Sequence, residues 1–462
     1  MKNQIITYFK NLLALLCIML VSNCDDFIDV DSPNSQLTTD TVFEDETTAT
    51  AAIIDIYAQM RENGIITGRI DGLSSLLGTY ADELVSFENG IYTTESFYNN
   101  SLLPSSNYVS NIWNASYSQI YAANAILEGI DDSDTLTENV KSQLQGEALF
   151  IRAFLHFHLV NTYGDIPYVA TTDYNENSNV IRMPIETVYQ AIISDLEVSI
   201  GLLNTSYSNS ERTRPNKSTA QAFLARVYLY HGDFEEAETM TTSVINNTEN
   251  YALEENIDDV FLANSMSTIW QLSPGASGAN TYEAITFIFY EGPPNQVSLN
   301  DNLISQFEDN DLRKTHWVAE VSDGDESWYH SFKYKLDYST GSSSENSIVM
   351  RLAEQYLIRS EARAMLGDIT GSKEDLNQVR NRAGLPNTDV NSQNELIETI
   401  LQERNLELFT ELGHRFFDLK RLGRLDDTLS LKSGWNTNDN LWPLPLTELV
   451  ANPNLTPQNP GY

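Results

Sequence analysis

Apolar residues recur at three- and four-residue steps over much of the chain beyond Thr50, a pattern typical of amphipathic helices. Two neighbouring segments show this period clearly, the first at Tyr117, Ile120, Tyr121, Asn124 and Leu127, and the second at Val140, Leu144, Ala148, Ile151 and Leu155. The connection from Gly129 to Glu138 supplies a glycine stop for the first helix and Asp or Thr caps for the second. We therefore expect a packed helical hairpin here.

A further pattern combines the helical period with small residues, which allow two helices to approach closely. The spacings of a tetratricopeptide repeat occur at Ala225, Tyr228, Gly232, Phe234 and Ala237. The pattern recurs 135 residues later, where Ser360, Gly367, Asp368, Ser372 and Val379 correspond to Ala225, Gly232, Asp233, Ala237 and Val244. Because a free-standing solenoid needs roughly three units, we expect these helix pairs to pack against other parts of the same domain.

The helical period weakens from about Tyr251 to Ser347, where turn residues such as those of Glu291–Asn295 become frequent. A similar region, rich in aromatic and polar residues, runs from Phe87 to Trp113. Within the longer region, the β-branched and aromatic residues of Tyr282–Tyr290 predict a short strand. The pattern as a whole indicates a mainly helical chain with a loop-rich insert.

The chain is strongly acidic, with 65 Asp and Glu residues, 27 Lys and Arg residues and a net charge of −38. Repulsion from phosphate backbones argues against nucleic-acid binding, and the same charge favours neutral over polyanionic ligands. The two cysteines, Cys17 and Cys24, both lie near the start. The sequence of the remaining body therefore provides neither a disulfide nor a thiolate metal site.

The first residues predict a signal peptide. The apolar run Leu12–Val21 follows the basic residues Lys2 and Lys10 and is too short to span a bilayer of about 30 Å. The run ends shortly before Cys24, an arrangement that resembles a bacterial lipobox, in which the cysteine becomes the lipidated first residue of the mature chain. Asn23 departs from the small residue usual at that position. A secreted chain with an incidental Cys24 is the alternative.

Motifs of the common enzyme classes are missing from the sequence, including the nucleophile elbow, the H-E-x-x-H zinc helix, the P-loop and the dinucleotide fingerprint. His156 and His158 cannot share one face of a helix, which favours packing over metal binding. An acidic turn at Asp323, Asp325 and Glu326 lacks the calcium-loop pattern and indicates a solvated turn. The many carboxylates leave a glycosidase pair open, but no pattern selects one.

A charged array predicts a structural ion-pair network, formed by Glu403, Arg404, Glu407, Glu411, Arg415 and Asp418.

Five segments together resemble the SusD/RagB outer-membrane lipoproteins: Gly146–Val169, Arg212–Ala237, Ile348–Asp368, Leu376–Pro386 and Leu441–Tyr462. With the lipidated start, the resemblance covers nearly the whole mature chain, although Phe87–Ser110 and Tyr251–Ser347 match only in pieces. It implies a mainly all-α fold of four tetratricopeptide-like helix pairs, with minor short strands and a loop-rich remainder that carries the binding face. The implied organisation is a signal peptide at 1–23 and a single domain at 24–462, divided into a helix-pair scaffold (40–250 and 348–425), a ligand-binding insert (about 251–347) and a structural tail (426–462).

The resemblance also implies a function without catalysis, cofactor or metal. Members of the family are lipid-anchored on the surface of the outer membrane, where they capture a glycan and deliver it to a SusC-like TonB-dependent transporter. The shortage of basic residues favours a neutral poly- or oligosaccharide as the ligand. Two alternatives stay open, namely peptide capture, as in the RagB branch, and a surface glycoside hydrolase.

Sugar capture requires aromatic rings that stack on pyranose faces and amide or guanidinium groups that bond the hydroxyls. Residues of these types cluster in the two variable loop regions, and the candidate glycan-binding residues are Tyr92, Phe97, Tyr98, Asn99, Asn100, Tyr282, Trp317, Trp328 and Tyr329. Each ring could equally belong to the core of its loop, and only their clustering favours a site. Other residues match structural positions of the family: Trp113, Arg152, Arg351, Glu354 and Tyr462. Trp270 is expected to be buried.

Overall fold

The computed structural model describes residues 42–90 and 93–462. The predicted signal peptide, the lipid attachment at Cys24 and the candidate Tyr92 lie outside the described residues. The described part contains 18 α-helices and six short strands, so the prediction of a mainly helical fold is confirmed. None of the helices in this part is both long and apolar enough to cross a membrane.

The helices and strands follow one another along the chain with short connections. The helices are α1 (Glu46–Glu62), α2 (Leu73–Tyr80), α3 (Thr94–Tyr98), α4 (Asn107–Asp131), α5 (Glu138–Tyr163), α6 (Tyr174–Asn177), α7 (Ile185–Leu202), α8 (Lys217–His231), α9 (Phe234–Ile245), α10 (Tyr282–Phe287), α11 (Asp301–Ser305), α12 (Leu312–His316), α13 (Leu352–Leu366), α14 (Ile369–Arg382), α15 (Gln393–Leu408), α16 (His414–Arg421), α17 (Leu425–Leu429) and α18 (Leu446–Ala451). The strands are β1 (Leu84–Ser86), β2 (Thr268–Leu272), β3 (Val297–Leu299), β4 (Val318–Ser322), β5 (Ser327–Ser331) and β6 (Ser347–Arg351).

The long helices form a continuous scaffold in which each packs against the next. Helix α4 packs against α5, which confirms the predicted hairpin, and the series continues through α7, α8, α9 and α13 to α14, α15 and α16. Both units with tetratricopeptide spacing turn at a glycine in the left-handed conformation, Gly232 with φ 97° and Gly367 with φ 87°. Glycine adopts this conformation without the steric cost that a Cβ would bring. The two sharp turns therefore allow α9 and α14 to fold back on their partners.

The loop-rich part contains two small antiparallel sheets. One has the strand order β1-β3-β5-β4, with Leu84 opposite Leu299 and Val318 opposite Ser331, and the other pairs β2 with β6. The predicted strand at Tyr282–Tyr290 is wrong, because its first six residues form α10. The Thr281 hydroxyl caps this helix by accepting a hydrogen bond from the Ala284 backbone, and helical spacing buries Ala284 and Phe287 together.

Charged residues inside the scaffold form the predicted ion-pair network. Glu407 on α15 contacts the guanidinium groups of Arg313, Arg351 and Arg382, and burial of all four side chains makes these pairs internal. Burial alone would raise the pKa of Glu407, but the three arginines lower it well below its ordinary value. A second set joins Arg404 to Asp418 at 2.6 Å. The array thus holds α15 against the insert and against α16.

Residues predicted to be structural lie buried between the helices of the scaffold. Arg152 pairs with Asp195 at 2.7 Å between α5 and α7, and Arg226 pairs with Glu354 at 2.6 Å between α8 and α13. The rings of His156 and His158 are buried, and each Nδ1 lies 2.8 Å from a backbone oxygen one turn earlier. Burial lowers the pKa of both imidazoles to about 3. The two histidines are therefore neutral packing residues, as the helical spacing predicted.

Candidate functional site

The loop between α1 and α2, residues 63–72, lies directly on α10. The Thr286 hydroxyl donates to the Gly68 carbonyl at 2.8 Å. A Cβ atom at Gly68 would lie only 2.7 Å from the backbone nitrogen of Glu283, so the approach requires glycine. This packing places the Arg69 guanidinium over the Tyr282 ring, with Cζ 3.8 Å from the ring centroid. An arginine and a tyrosine distant in sequence thus form one stacked pair.

The carboxylate of Glu62 holds the stacked pair together. Its Oε2 accepts from Arg69 Nη2 at 2.7 Å and from the Tyr282 hydroxyl at 2.8 Å. Its Oε1 accepts from Arg61 Nε at 2.9 Å. Partial burial would raise the pKa of Glu62, but the hydrogen bonds from Arg69, Tyr282 and Arg61 lower it to about 2. The carboxylate is therefore ionised at neutral pH, and the two arginines and the ring keep fixed orientations.

A pocket of about 370 Å³ opens beside Tyr282. Its lining includes Arg61, Glu62, Asn280, Tyr282, Ile285, Asp337 and Tyr338. Tyr338 is 60% exposed, and the nearby Tyr290, which donates its hydroxyl to Asp337 at 2.9 Å, is 71% exposed. The pocket therefore combines accessible aromatic rings with guanidinium, amide and carboxylate groups.

The loop that carries Tyr338 is tied down through Asn280. The Asn280 amide nitrogen donates to the Tyr338 carbonyl at 2.9 Å, and its oxygen accepts from the Ser344 backbone at 3.0 Å. The Thr340 backbone also donates to the Gly278 carbonyl at 2.7 Å. These bonds fix the backbone of the loop while the Tyr338 ring stays accessible. A ring held in this way can stack on a ligand with little loss of conformational entropy.

The walls of the pocket offer hydrogen-bonding groups and aromatic rings. No group of three or more His, Cys, Asp or Glu that could hold a metal occurs in the described parts of the chain. In the predicted acidic turn, one Asp323 oxygen accepts from the backbones of Asp325 and Glu326 at 2.9 Å, as in an ordinary solvated hairpin. The donors and acceptors around Tyr282 instead match hydroxyl groups, and its ring matches an apolar C–H face.

Four of the predicted glycan-binding residues are buried, which corrects the expectation that they face a ligand. Phe97 is completely buried and its ring lies 5.1 Å from that of Trp442, while Asn100 donates to the Tyr80 carbonyl at 3.0 Å. Trp317 is 1% exposed and donates to the Ile257 carbonyl at 3.1 Å. Trp328 is buried beneath Gly292, where a Cβ would overlap its ring. These side chains stabilise the loops from inside.

The remaining candidates lie in separate places. Tyr282 lines the pocket. Tyr98 and Asn99 are partly exposed and face the C-terminal segment, where Lys432 Nζ lies 5.2 Å from the Tyr98 ring centroid. Tyr329 is partly exposed in β5, paired with Leu299 and Glu320. Neither Tyr98 with Asn99 nor Tyr329 contributes to the lining around Tyr282.

Sequence reasoning missed the polar half of the site. Arg61, Glu62 and Arg69 are not among the residues predicted from the sequence. Gly68, beside Arg69, was the available signal, because glycine permits a close backbone approach. Tyr338 stands in a Ser- and Gly-rich stretch, where a core ring is unusual, and this signal could have identified it.

Comparisons with known proteins support the resemblance to the SusD/RagB family along the chain. A family model described as starch-binding associating with outer membrane matches residues 26–229, and the model of the SusD family, SusD_RagB, matches residues 147–440. SusD-like protein P2 of Formosa agariphila is 30% identical over 100% of both chains. SusD-like protein P38 of the same organism is 25% identical over 98% of this chain and 99% of its own.

Solved structures show the same fold. A SusD superfamily protein from Bacteroides vulgatus superposes with a TM-score of 0.78 at 21% identity, covering 91% of this chain and 100% of its own. A laminarin-binding SusD-like protein superposes with a TM-score of 0.75 at 24% identity, covering 90% of this chain and 99% of its own. The resemblance predicted from the sequence is therefore confirmed, and the chain belongs to the SusD/RagB family.

Proposed function

We propose that this protein is a non-catalytic, cell-surface glycan-binding lipoprotein that delivers its ligand to a SusC-like TonB-dependent transporter. The observation that carries the proposal is the Arg69–Tyr282 stack beside the pocket that Tyr282 and Tyr338 line. Glu62 holds the stacked pair, and Asn280 holds the loop that carries Tyr338. Membership of the SusD family and the laminarin-binding protein of the same fold support this assignment. Stacking on Tyr282 and Tyr338 would hold the sugar rings, while Arg61, Asn280 and Asp337 would bond the hydroxyls.

The charge of the pocket favours a neutral glycan. Its charged lining residues are Arg61, Glu62 and Asp337, and Glu62 already pairs with Arg61 and Arg69. An anionic sugar would have to compete with Glu62 for the guanidinium groups and would meet Asp337 and the overall charge of −38. A neutral poly- or oligosaccharide meets no such repulsion.

The low pKa of Glu62 supports binding without hydrolysis. A glycoside hydrolase needs one carboxylic acid that can donate a proton to the leaving group. Glu62, with its pKa near 2, cannot serve as that acid. Burial raises the pKa of the neighbouring Glu283 to about 7, but this carboxyl accepts from Ser347 at 2.7 Å behind the pocket wall.

Binding and turnover can be measured on the same protein. Titration calorimetry against a panel of neutral glycans that includes laminarin, alongside a panel of peptides, should give heat only with a glycan. Loss of the stacking on either ring, in Tyr282→Ala or Tyr338→Ala, should weaken binding about tenfold, since ring stacking contributes about 0.5–1.5 kcal/mol beyond area burial. The control Tyr174→Ala removes a ring that is 80% exposed on α6 and should leave affinity unchanged.

Two outcomes would contradict the glycan-binding proposal. Binding restricted to peptides would favour the RagB-like alternative, and release of reducing sugar that disappears in Glu283→Gln would favour the hydrolase. The anchor and partner need separate tests. Mass spectrometry of the mature N-terminus should find a lipidated Cys24, and purification from membranes in mild detergent should recover the transporter barrel together with this chain.

A further inference from the structure

A second pocket, of about 290 Å³, lies apart from the Tyr282 site, between α4, the segment 167–180 and the C-terminal residues 448–455. One wall is aromatic: Trp113, Tyr117 and Tyr121 stand one helical turn apart on α4 and all line the pocket. The Trp113 and Tyr117 ring centroids are 4.8 Å apart, and the Tyr117 hydroxyl donates to the Pro167 carbonyl at 2.8 Å. These contacts fix two of the rings, while Tyr121 is 52% exposed at the mouth.

The opposite wall carries a single charge. Among the described residues that line the pocket, Glu448 on α18 is the charged one, and it takes part in no ion pair of the described parts of the chain. Arg182 of the neighbouring segment donates instead to the Asp165 and Pro457 carbonyls. Burial raises the pKa of Glu448, and a hydrogen bond with Thr447 offsets this only in part. The pocket thus presents a carboxylate that lacks a cationic partner.

The wall that carries Glu448 is firmly placed. The Leu446 backbone donates to the Pro104 carbonyl at 2.8 Å, and the Asn452 amide donates to the Val180 carbonyl at 2.9 Å. α18 is thereby tied to the loop that precedes α4 and to the segment that forms the third wall. A carboxylate and aromatic rings held at fixed positions form a prepared site rather than a collapsed surface groove.

The chemistry of these walls selects a cation. Aromatic faces attract ammonium and guanidinium groups, and a nearby carboxylate adds a charge-assisted hydrogen bond. The acidic surface of the whole chain, with its net charge of −38, would attract a basic partner at long range. Apolar residues close in sequence to the lining residues Val180 and Glu448 are open to solvent: Ile181 is 63% exposed, Leu446 49% and Val450 73%. A free small cation would gain nothing from this apolar rim, whereas a protein surface would cover it.

We propose that this pocket is a docking site for an arginine or lysine side chain of a partner protein, which surrounds that side chain with apolar residues that cover Ile181, Leu446 and Val450. The basic group lies against the Tyr121 and Tyr117 rings and donates to the Glu448 carboxylate. The site does not depend on glycan binding, because it shares no lining residue with the Tyr282 pocket.

The proposal can be tested with a pair of probes that differ in charge. N-acetyl-arginine amide and its neutral counterpart N-acetyl-citrulline amide are titrated separately into the full chain, with binding followed by ligand-observed NMR and by the fluorescence of the protein. We expect the arginine probe to bind at least about fivefold more tightly than the citrulline probe, and added salt to reduce the difference.

Single substitutions test whether the arginine probe binds in this pocket. Glu448→Gln keeps the shape of the side chain but removes its charge, and it should abolish the preference for arginine, while Tyr121→Ala should weaken the arginine probe severalfold. The matched control Glu374→Gln, at an exposed position on α14, should bind as wild type does. If Glu448→Gln fails to fold, Tyr121→Ala decides, because that ring is half exposed. Equal binding of the two probes, no binding of either, or an unchanged arginine preference in Glu448→Gln or Tyr121→Ala overturns the proposal.

Discussion

Gly68 allows a test of the proposed glycan site that removes none of the side chains proposed to contact the ligand. In Gly68→Ala the new methyl group would lie 2.7 Å from the Glu283 backbone nitrogen and against the Glu283 carboxylate. A side chain could rotate away, but the backbone of α10 cannot, so the loop 63–72 must move. Gly68 does not have a positive φ, and an alanine there is free of backbone strain. The perturbation is therefore steric and local.

The size of the effect follows from the interactions that this movement disrupts. Adding a methyl group to a tight contact costs about 1–3 kcal/mol. Displacement of the loop also breaks the bond from Thr286 to the Gly68 carbonyl, worth about 1 kcal/mol. Arg69 is the next residue, so the same movement separates its guanidinium from Tyr282 and Glu62. We expect the free energy of unfolding to fall by about 2–4 kcal/mol and the glycan affinity to fall about tenfold.

Urea denaturation and titration calorimetry, with a glycan that binds wild type, give the two quantities. The control is Gly201→Ala on α7, where the new Cβ would meet open space and where alanine favours the helix. The control should bind the glycan normally and be as stable as wild type or more so. If Gly68→Ala binds the glycan with wild-type affinity, then the packing of the loop on α10 does not position the site, and the reasoning from Arg69 and Tyr282 fails.

Three further predictions follow from the buried charges, the buried rings and the lowered pKa. Glu407→Gln leaves three buried arginines without their shared carboxylate, and urea denaturation should show a free energy of unfolding lower by about 3–5 kcal/mol. The control Glu398→Gln, on the exposed face of the same helix, should change this free energy by less than about 1 kcal/mol. Trp317→Phe should lower the melting temperature but leave glycan affinity unchanged, and a selective loss of affinity would return Trp317 to the site. Because the pKa of Glu62 is depressed from 4.5 to about 2, its carboxylate stays ionised as the pH falls to 4, and its interactions are lost only as the pH falls through about 2. The Glu62 carboxyl, followed by NMR, should therefore show no titration between pH 7 and pH 4, and a transition of this group centred near pH 4.5 would contradict the Glu62 geometry.

The helical scaffold was predictable because its determinants are local. The apolar period of α4 defines one buried face, and α5 shows the same period before it becomes buried on all sides from Phe150 to Val160. The glycines at 232 and 367 mark turns that other residues adopt only with strain. Within the insert, residue pattern and propensity predicted the secondary structure less well. The content of Tyr282–Tyr290 indicated a strand, but a single threonine cap and the burial of Ala284 with Phe287 favour a short helix. Tertiary burial thus outweighs intrinsic β-propensity in a segment this short.

The proposed glycan site could not be assembled from the sequence, since its parts are far apart along the chain. Tyr282 and the Glu62 carboxylate that holds it are 220 residues apart. The close approach that joins them depends on one glycine, Gly68, against one backbone nitrogen. Periodicity carries no information about such a contact. A glycine next to an arginine in a short loop is a weak local signal, and only the structure shows which helix approaches it.

The aromatic residues of the insert show why ring density alone is a poor guide to a binding face. The insert needs a core of its own, and Trp317 supplies it, with its ring 5.3 Å from that of Phe261 and 5.2 Å from Lys333 Nζ. Tyr338 is different, because the Asn280 amide holds its backbone while its ring extends into solvent at 60% exposure. A ring with a fixed backbone and a free face can stack on a sugar at little entropic cost, whereas a buried ring must first leave the core. Ligand-binding rings of such inserts are therefore best sought where turn residues exclude a core and polar side chains hold the backbone.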